Sequence, residues 1–507
     1  MVHLCRTRSR VMTDPGISRT GIDAIAGLGL RIFSEDQVRA IHDATLEVLH
    51  DVGIKVESEE ALEIFHGSGA SVEKTDGYGI VTFPPYLVEE CIRSAPGTIT
   101  WYGRNPANDF KAEPHRVGFS TFGECIQLID PHTLELRPAT KKDLADATRV
   151  CDYLDEMVLV ERALGSLDQY AESQSMHNFE AMVTNTGKHI FIGFNDGQCA
   201  KRIIEMAAAC VGGMQQLRHR PIVTAFVCPT SPLELTQKCT DVIIESARSG
   251  IGVGSISMVL AGATAPATLA GALITHNAEV LSAIALAQLA RKGTPCTYAS
   301  CSTIMDLRFA GPAVGAPEYG ILSAGLTRMA QYYQLPCWVG GGHSDSKLPD
   351  AQAAYESALT ATVSAMAGAN IIYGAGCFES GLSFDYAKLL MDCEEIRMIR
   401  QTIKGITVTD YEMAVQVIKE VGPGGEFLTH QHTYENMKKM SRPRLFDRRK
   451  RESWMEETGG RTLTERAYEE ARHILENHRP QPLPDGAAEE MRAIIEAYES
   501  DLSPRRA

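Results

Sequence analysis

The chain has 507 residues, 44% hydrophobic and 22% charged, with a formal net charge of −15. That composition suits a soluble globular protein of two or three average domains, or one large barrel with extensions. The acidic balance argues against nucleic acid and anionic membrane as partners and is compatible with a cationic small molecule.

In chain order, residues 1–33 read as a loose N-terminal arm. Arg6, Arg8 and Arg10 precede no apolar core, so no signal peptide is expected, and Met12 offers an alternative start. The 13 cysteines are scattered through apolar segments without a CxxC pair, the pattern of reduced thiols in a cytoplasmic protein. Ser34-Glu35-Asp36-Gln37 is a capping-box pattern that opens a helix to about His50. With strand 53–56, helix 59–66, hairpin 72–83, helix 85–94 and strand 98–102 it forms an N-terminal α+β unit over 34–115.

A second rhythm occupies 116–400. Apolar segments at 117–122, 158–164, 189–194, 222–228, 253–258, 296–300, 337–340 and 371–374 alternate with helical periodicity, as at 198–211, 233–249, 269–291, 319–333 and 351–367. Eight such units predict an α/β fold of the (β/α)8 TIM-barrel type. An open doubly wound sheet is the alternative, but no GxGxxG follows any of these strands. The most apolar stretch, 250–290, is interrupted by Pro266, His276, Asn277 and Glu279 and reads as barrel core, not a membrane span. Residues 401–507 form a charged, mainly helical C-terminal extension that points to wrapping of the barrel or to a homo-oligomer.

Barrel chemistry sits just beyond strand C-termini. Those positions hold Glu124, Asp168, Asn195, Asp196, Thr230, Ser231, Thr264, Ser302, Asp306, Arg308, His343, Asp345, Glu379 and Ser380, with Phe122, Phe194, Tyr298, Phe309 and Phe378 nearby. Carboxylates mixed with aromatic faces suit a desolvated cation. The loop after strand 337–340 carries Gly341 and Gly342, which let the backbone approach a bound group, then His343, Ser344 and Asp345. His343 and Asp345 are the candidate catalytic residues. Glu124, Phe194, Tyr298, Asp306, Phe309 and Glu379 are candidates for binding substrate, and Arg308 for clamping a carboxylate or merely pairing with Asp306. Asp350 is placed to cap the helix from Ala351. His430-Gln431-His432 could seed a zinc site, but no completing ligand is evident and no metal is assigned.

The runs GATAPATLAGAL at 262–273, Asn277 to Leu281, Gly315-Ala316-Pro317-Glu318, SDSKLPDAQ at 344–352, and Glu379-Ser380-Gly381-Leu382 resemble the trimethylamine methyltransferase (MttB) family. So do Trp101-Tyr102-Gly103-Arg104 and Pro443 to Arg448, so the likeness spans nearly the whole chain. The resemblance implies a barrel that passes a methyl group from an amine to the Co(I) centre of a separate corrinoid protein, in methanogenesis-related one-carbon metabolism. It implies no cofactor held tightly by this chain, with Gly341, Gly342 and Ser344 facing the partner's corrinoid. Trimethylamine enzymes of the family carry pyrrolysine at the barrel mouth, whereas every residue here is a standard one. In that respect the chain is similar to the glycine betaine methyltransferases, which implies a quaternary amine substrate, glycine betaine giving dimethylglycine. Two other readings stay open: a metal-dependent TIM-barrel lyase or hydrolase, and a non-catalytic betaine-binding partner.

Overall fold

The computed structural model describes residues 28–502. Most of the expected N-terminal arm and the alternative start at Met12 lie outside the described residues. Eight parallel strands form the centre: β1 (Gly118–Thr121), β2 (Val160–Glu161), β3 (Ile190–Gly193), β4 (Val223–Val227), β5 (Gly252–Ser257), β6 (Cys296–Ser300), β7 (Cys337–Gly340) and β8 (Ile371–Ala375). Each pairs with the next in sequence from β2 to β8, and β8 pairs with β1 through Ile371–Gly118 and Ile372–Phe119. The remaining seam is closed by the Val158 N–H donating to the Phe119 carbonyl at 3.0 Å. The sheet therefore has no free edge, which is the (β/α)8 barrel that the strand spacing predicts.

Eight helices follow the strands: α1 (Lys141–Tyr153), α2 (Gln174–Asn185), α3 (Gly197–Ala209), α4 (Gln237–Ser249), α5 (Leu269–Ala290), α6 (Pro317–Tyr332), α7 (Ala351–Ala367) and α8 (Tyr386–Ile403). The expected cap at Asp350 forms, and Asp196, read as a strand-end polar residue, turns out to cap a helix as well. Asp350 accepts from the Ala353 N–H at 3.2 Å ahead of α7, and Asp196 accepts from the Cys199 N–H at 2.8 Å ahead of α3. The expected capping box also forms in the first helix, Glu35–Asp51, where Ser34 and Gln37 exchange hydrogen bonds of 3.2 and 2.9 Å.

The N-terminal region covers the barrel in two places. Helices Glu35–Asp51, Glu59–Gly67 and Pro85–Ser94 pack along the outside of α5. Barrel on one side and these helices on the other explain why α5 is buried over most of its length, with His276, Asn277 and Glu279 as buried polar exceptions. It is the one described helix long and apolar enough to cross a membrane, and 78% of its apolar window is buried inside the protein. Strand Ile54–Val56 adds the two-residue strand Glu234–Leu235, from the loop after β4, to its own small sheet. This joins the unit to the end of the barrel where the βα loops lie.

The antiparallel ribbon Ile99–Trp101 and Phe110–Ala112 does something different. Its Trp101 ring lies 5.5 Å from Phe191 of β3 and 6.0 Å from Trp338 of β7, edge to face. Ribbon and strands share one apolar cluster that plugs the lower end of the lumen. The expectation of strand 98–102 holds, but the ribbon belongs to the barrel's interior.

C-terminal helices clasp other faces. Leu463–Asn477 packs on α8 and α1, and Ala487–Leu502 on α3 and α2. Between α8 and these, Asp410–Met413, Val415–Val421 and Gln431–Asn436 contain no buried residue.

Trp101 is 2% exposed and fills the base of the lumen. Trp101→Ala is expected to cost about 3–5 kcal/mol, the range for emptying a large aromatic site in a core. The measurement is the denaturant midpoint of the full chain, with an unchanged midpoint counting against the plug.

Candidate active site

The lumen above the plug opens into a cavity of about 380 Å³. Its walls come from the ends of β1 to β6 and β8: Phe122, Glu161, Arg162, Phe191, Phe194, Phe226, Cys228, Met258, Cys301 and Tyr373 are among them. Phe191 is the central ring, 4.8 Å from Phe226 and 3.8 Å from Trp338. On the opposite wall Phe122 stacks on Tyr373 at 6.1 Å. The aromatic walls follow from strand alternation, since Phe191 pairs in register with Glu161 and both side chains face inward.

Glu161 is the one acidic residue lining this cavity. It is 3% exposed, and its Oε2 has no hydrogen-bond partner. Burial raises its pKa well above the usual carboxylate value, with Arg162 and the Trp338 indole offsetting part of the shift. Trp338 Nε1 also lacks a well-formed hydrogen bond, so its help to the carboxylate is weak. Gly123 is needed here, because a Cβ at that position would sit 2.6 Å from Glu161 Oε1. The arrangement is a carboxylate without a hydrogen-bond partner on Oε2, inside a box of aromatic faces.

The neighbouring Arg162 also faces the cavity and pairs with Glu124 from the loop after β1. Of the sequence-expected residues, Glu124, Phe122 and Phe194 are therefore at the site. The others lie elsewhere. Tyr298 points outward from β6, where its hydroxyl donates to Asn277 of α5 at 2.9 Å and is fully buried. Asn277 in turn bonds Thr45 and Tyr333, so Tyr298 belongs to a joint between barrel and N-terminal helix. Asp306, Arg308 and Phe309 sit on a hairpin after β6, Thr303–Asp306 with Gly311–Ala313. There Arg308 folds back on Asp306 at 2.6 Å, which holds that carboxyl down at about 2, and Phe309 is 80% exposed. Glu379 accepts from Gln127 at 3.1 Å and Ser383 at 2.6 Å within a small sheet.

The glycine loop after β7 is buried. Gly341 is wedged against Ile372 and Ala361, where a Cβ would meet atoms at 2.8 and 2.9 Å. The Gly342 carbonyl accepts from Lys388 at 3.1 Å, and Ser344 donates to Glu356 at 2.7 Å. None of the three lines the cavity; packing against α7 and α8 puts them behind its wall. Asp345 accepts from the Val314 and Gly315 N–H groups at 3.1 and 3.0 Å and from Ser380 at 2.8 Å. It ties loops together and has no place at the cavity. His343 is fully buried behind the wall, its ring 4.9 Å from Phe122 and 5.3 Å from Tyr373. Its Nδ1 meets the Tyr319 hydroxyl at 3.2 Å and its Nε2 has no partner. Burial, with the charge of Lys388, pushes its pKa down to about 3. A neutral imidazole in that position shapes the wall and is a poor proton carrier.

Among the described residues no group of three or more His, Cys, Asp or Glu side chains gathers as a metal site. His430 instead accepts from the His432 N–H at 3.1 Å and faces Glu420 at 3.3 Å.

Glu161 and Arg162 escape a reading of strand ends because they lie within the apolar run 158–164. A charged dipeptide inside such a run is itself the available signal, since neither residue is buried without reason.

Residues 14–503 match the family model described as trimethylamine methyltransferase (MTTB). The trimethylamine methyltransferase MttB of Desulfitobacterium hafniense is 48% identical over 98% of this chain and 99% of its own length. The MttB of Methanosarcina barkeri is 36% identical over 94% of this chain and 97% of its own. A glycine betaine methyltransferase of Desulfitobacterium hafniense is 32% identical over 92% of this chain and 96% of its own. The solved structure of a hydroxylamine complex of MtmB covers 89% of this chain and 88% of that one, with a TM-score of 0.50 at 13% identity, a likeness of fold. The chain belongs to the trimethylamine methyltransferase (MTTB) family of methyltransferases.

Proposed function

We propose that this methyltransferase takes a methyl group from a quaternary ammonium compound, glycine betaine first among them, and passes it to the Co(I) centre of a separate corrinoid protein. The observation that carries the reading is Glu161, buried among Phe122, Phe191, Phe226 and Tyr373 with one oxygen unpartnered. A permanent cation supplies the missing charge, and its methyl groups fit aromatic faces, at about 0.5–2 kcal/mol per cation–π contact. The glycine betaine methyltransferase among the relatives supports the same substrate class. Trimethylamine is the competing substrate, named for the 48% identical relative.

The chemistry suits a site without an acid or base. The acceptor contributes the electron pair of the new bond to methyl carbon. The old C–N pair stays on nitrogen, so the quaternary cation leaves as a neutral tertiary amine and no proton moves. What the chain must supply is orientation of one N-methyl group toward the opening and exclusion of water. Glu161 binds the cation more tightly than the transition state, in which charge on nitrogen is falling. Its contribution is therefore to capture substrate.

Three outcomes are expected. Incubation with a reduced corrinoid protein and a panel of amines should change the corrinoid's visible spectrum with quaternary amines. Transfer from trimethylamine alone would refute the reading. Glu161→Gln should raise the KM for the quaternary amine roughly tenfold or more while kcat is largely kept, as for loss of one partner of a buried charge pair.

The third concerns pH. The empty site holds Glu161 with a raised pKa, so a cation must displace its proton. Affinity should rise with pH, by up to about tenfold per unit, between the ordinary carboxylate range and the raised value, then level off. The native state also binds this proton more tightly than the unfolded chain, so stability without ligand should fall with rising pH across that window. Glu161→Gln should abolish both dependences; calorimetry in buffers of different ionisation enthalpy reads the first and thermal unfolding the second.

A further inference from the structure

We infer that Arg162 selects substrates bearing a carboxylate a few bonds from the ammonium group, and that Glu124 holds its place until such a substrate arrives. The inference deepens the quaternary-amine reading and rests on it.

Glu161 and Arg162 are consecutive residues at the end of β2, and both line one cavity. Opposite charges on neighbouring positions of one wall match a zwitterion whose charges are close together. Glu161 lies deep among the rings, whereas Arg162 arches past Gly193 of β3, where an added Cβ would lie 3.9 Å from its Nη2. The Arg162 side chain is 13% exposed and that of Glu124 29%, so the pair sits nearer the opening than Glu161. Nη2 of Arg162 is taken by Glu124, but its buried Nε has no partner. A guanidinium offers a planar fork that a carboxylate fills with two parallel bonds. Glu124 is bonded through Nη2 alone. It also holds a backbone φ of +146°, a region that side-chain-bearing residues seldom occupy. A substrate carboxylate that takes Nε and Nη2 together completes the fork and releases Glu124 toward solvent.

Arg308 does not compete for the carboxylate, since it is paired with Asp306 on the outer hairpin. Lys238 also lines the cavity, next to Thr236 and Cys239, and is the rival for the carboxylate.

The test is calorimetric binding of glycine betaine and of tetramethylammonium, which has no carboxylate, to the full chain and to Arg162→Gln, Glu124→Gln and Lys238→Ala. Arg162→Gln should weaken betaine by about tenfold to a hundredfold and change tetramethylammonium by no more than about threefold, which also shows that the box has survived. Glu124→Gln should tighten betaine binding by removing the competitor. The inference is overturned if Arg162→Gln weakens both ligands alike or neither, or if the loss specific to betaine appears in Lys238→Ala instead. Tetramethylammonium binding with unselective Arg162→Gln sinks this inference alone. Failure of the unaltered chain to bind either ligand sinks the quaternary-amine reading with it.

Discussion

A carboxylate buried with one oxygen unpartnered is the constraint on which this site depends. Removing an ion from water costs several kcal/mol even after relaxation, and burial accordingly raises the pKa of Glu161 well above the usual carboxylate value. Around it stand the ring of aromatic side chains, the edge-free sheet, and the Trp101 plug below.

The barrel distributes tasks by layer. The lowest layer, with Trp101, Phe110, Val158 and Trp338, is an apolar cluster, and Trp338 also touches Phe191 of the layer above. The middle layer places Glu161 among Phe191, Phe226 and Tyr373, and the upper one carries Arg162, Glu124 and Phe194. Behind the wall, His343, Gly341, Gly342 and Asp345 form a scaffold whose polar atoms mostly bond inward to α6, α7, α8 and neighbouring loops. A loop rich in functional-looking residues thus serves as support, while two charged residues hidden in a strand face the cavity.

This division explains what could be read from sequence. All eight barrel strands were legible, because runs such as 189–194 and 222–228 are apolar and bounded by helical periodicity. Which face a strand residue takes is a matter of phase, and one step reverses it. Tyr298 sits in a wholly buried strand, so alternation in polarity gives no clue that it faces Asn277 rather than the lumen. Asp306 to Phe309 were misplaced for another reason. Their hairpin extends β6 with a local ladder, which carries them outside the cavity. Glu124 is legible because it follows its strand closely; Arg162 is marked only by the charge it places inside an apolar run, and its pairing with Glu124 joins loops of two different strands.

The ribbon that closes the base of the lumen also sets a demand on how the chain comes together. Trp101 is made early, yet its ring partners Phe191 and Trp338 come from β3 and β7, and β1 acquires one of its neighbours only when β8 is present. Until then the ribbon and β1 hold large apolar faces with nothing to cover them. Contacts so distant along the chain slow folding and prolong the lifetime of sticky intermediates. The ribbon and β1 therefore gain their full set of native neighbours only once β8, about 250 residues further along the chain, is in place.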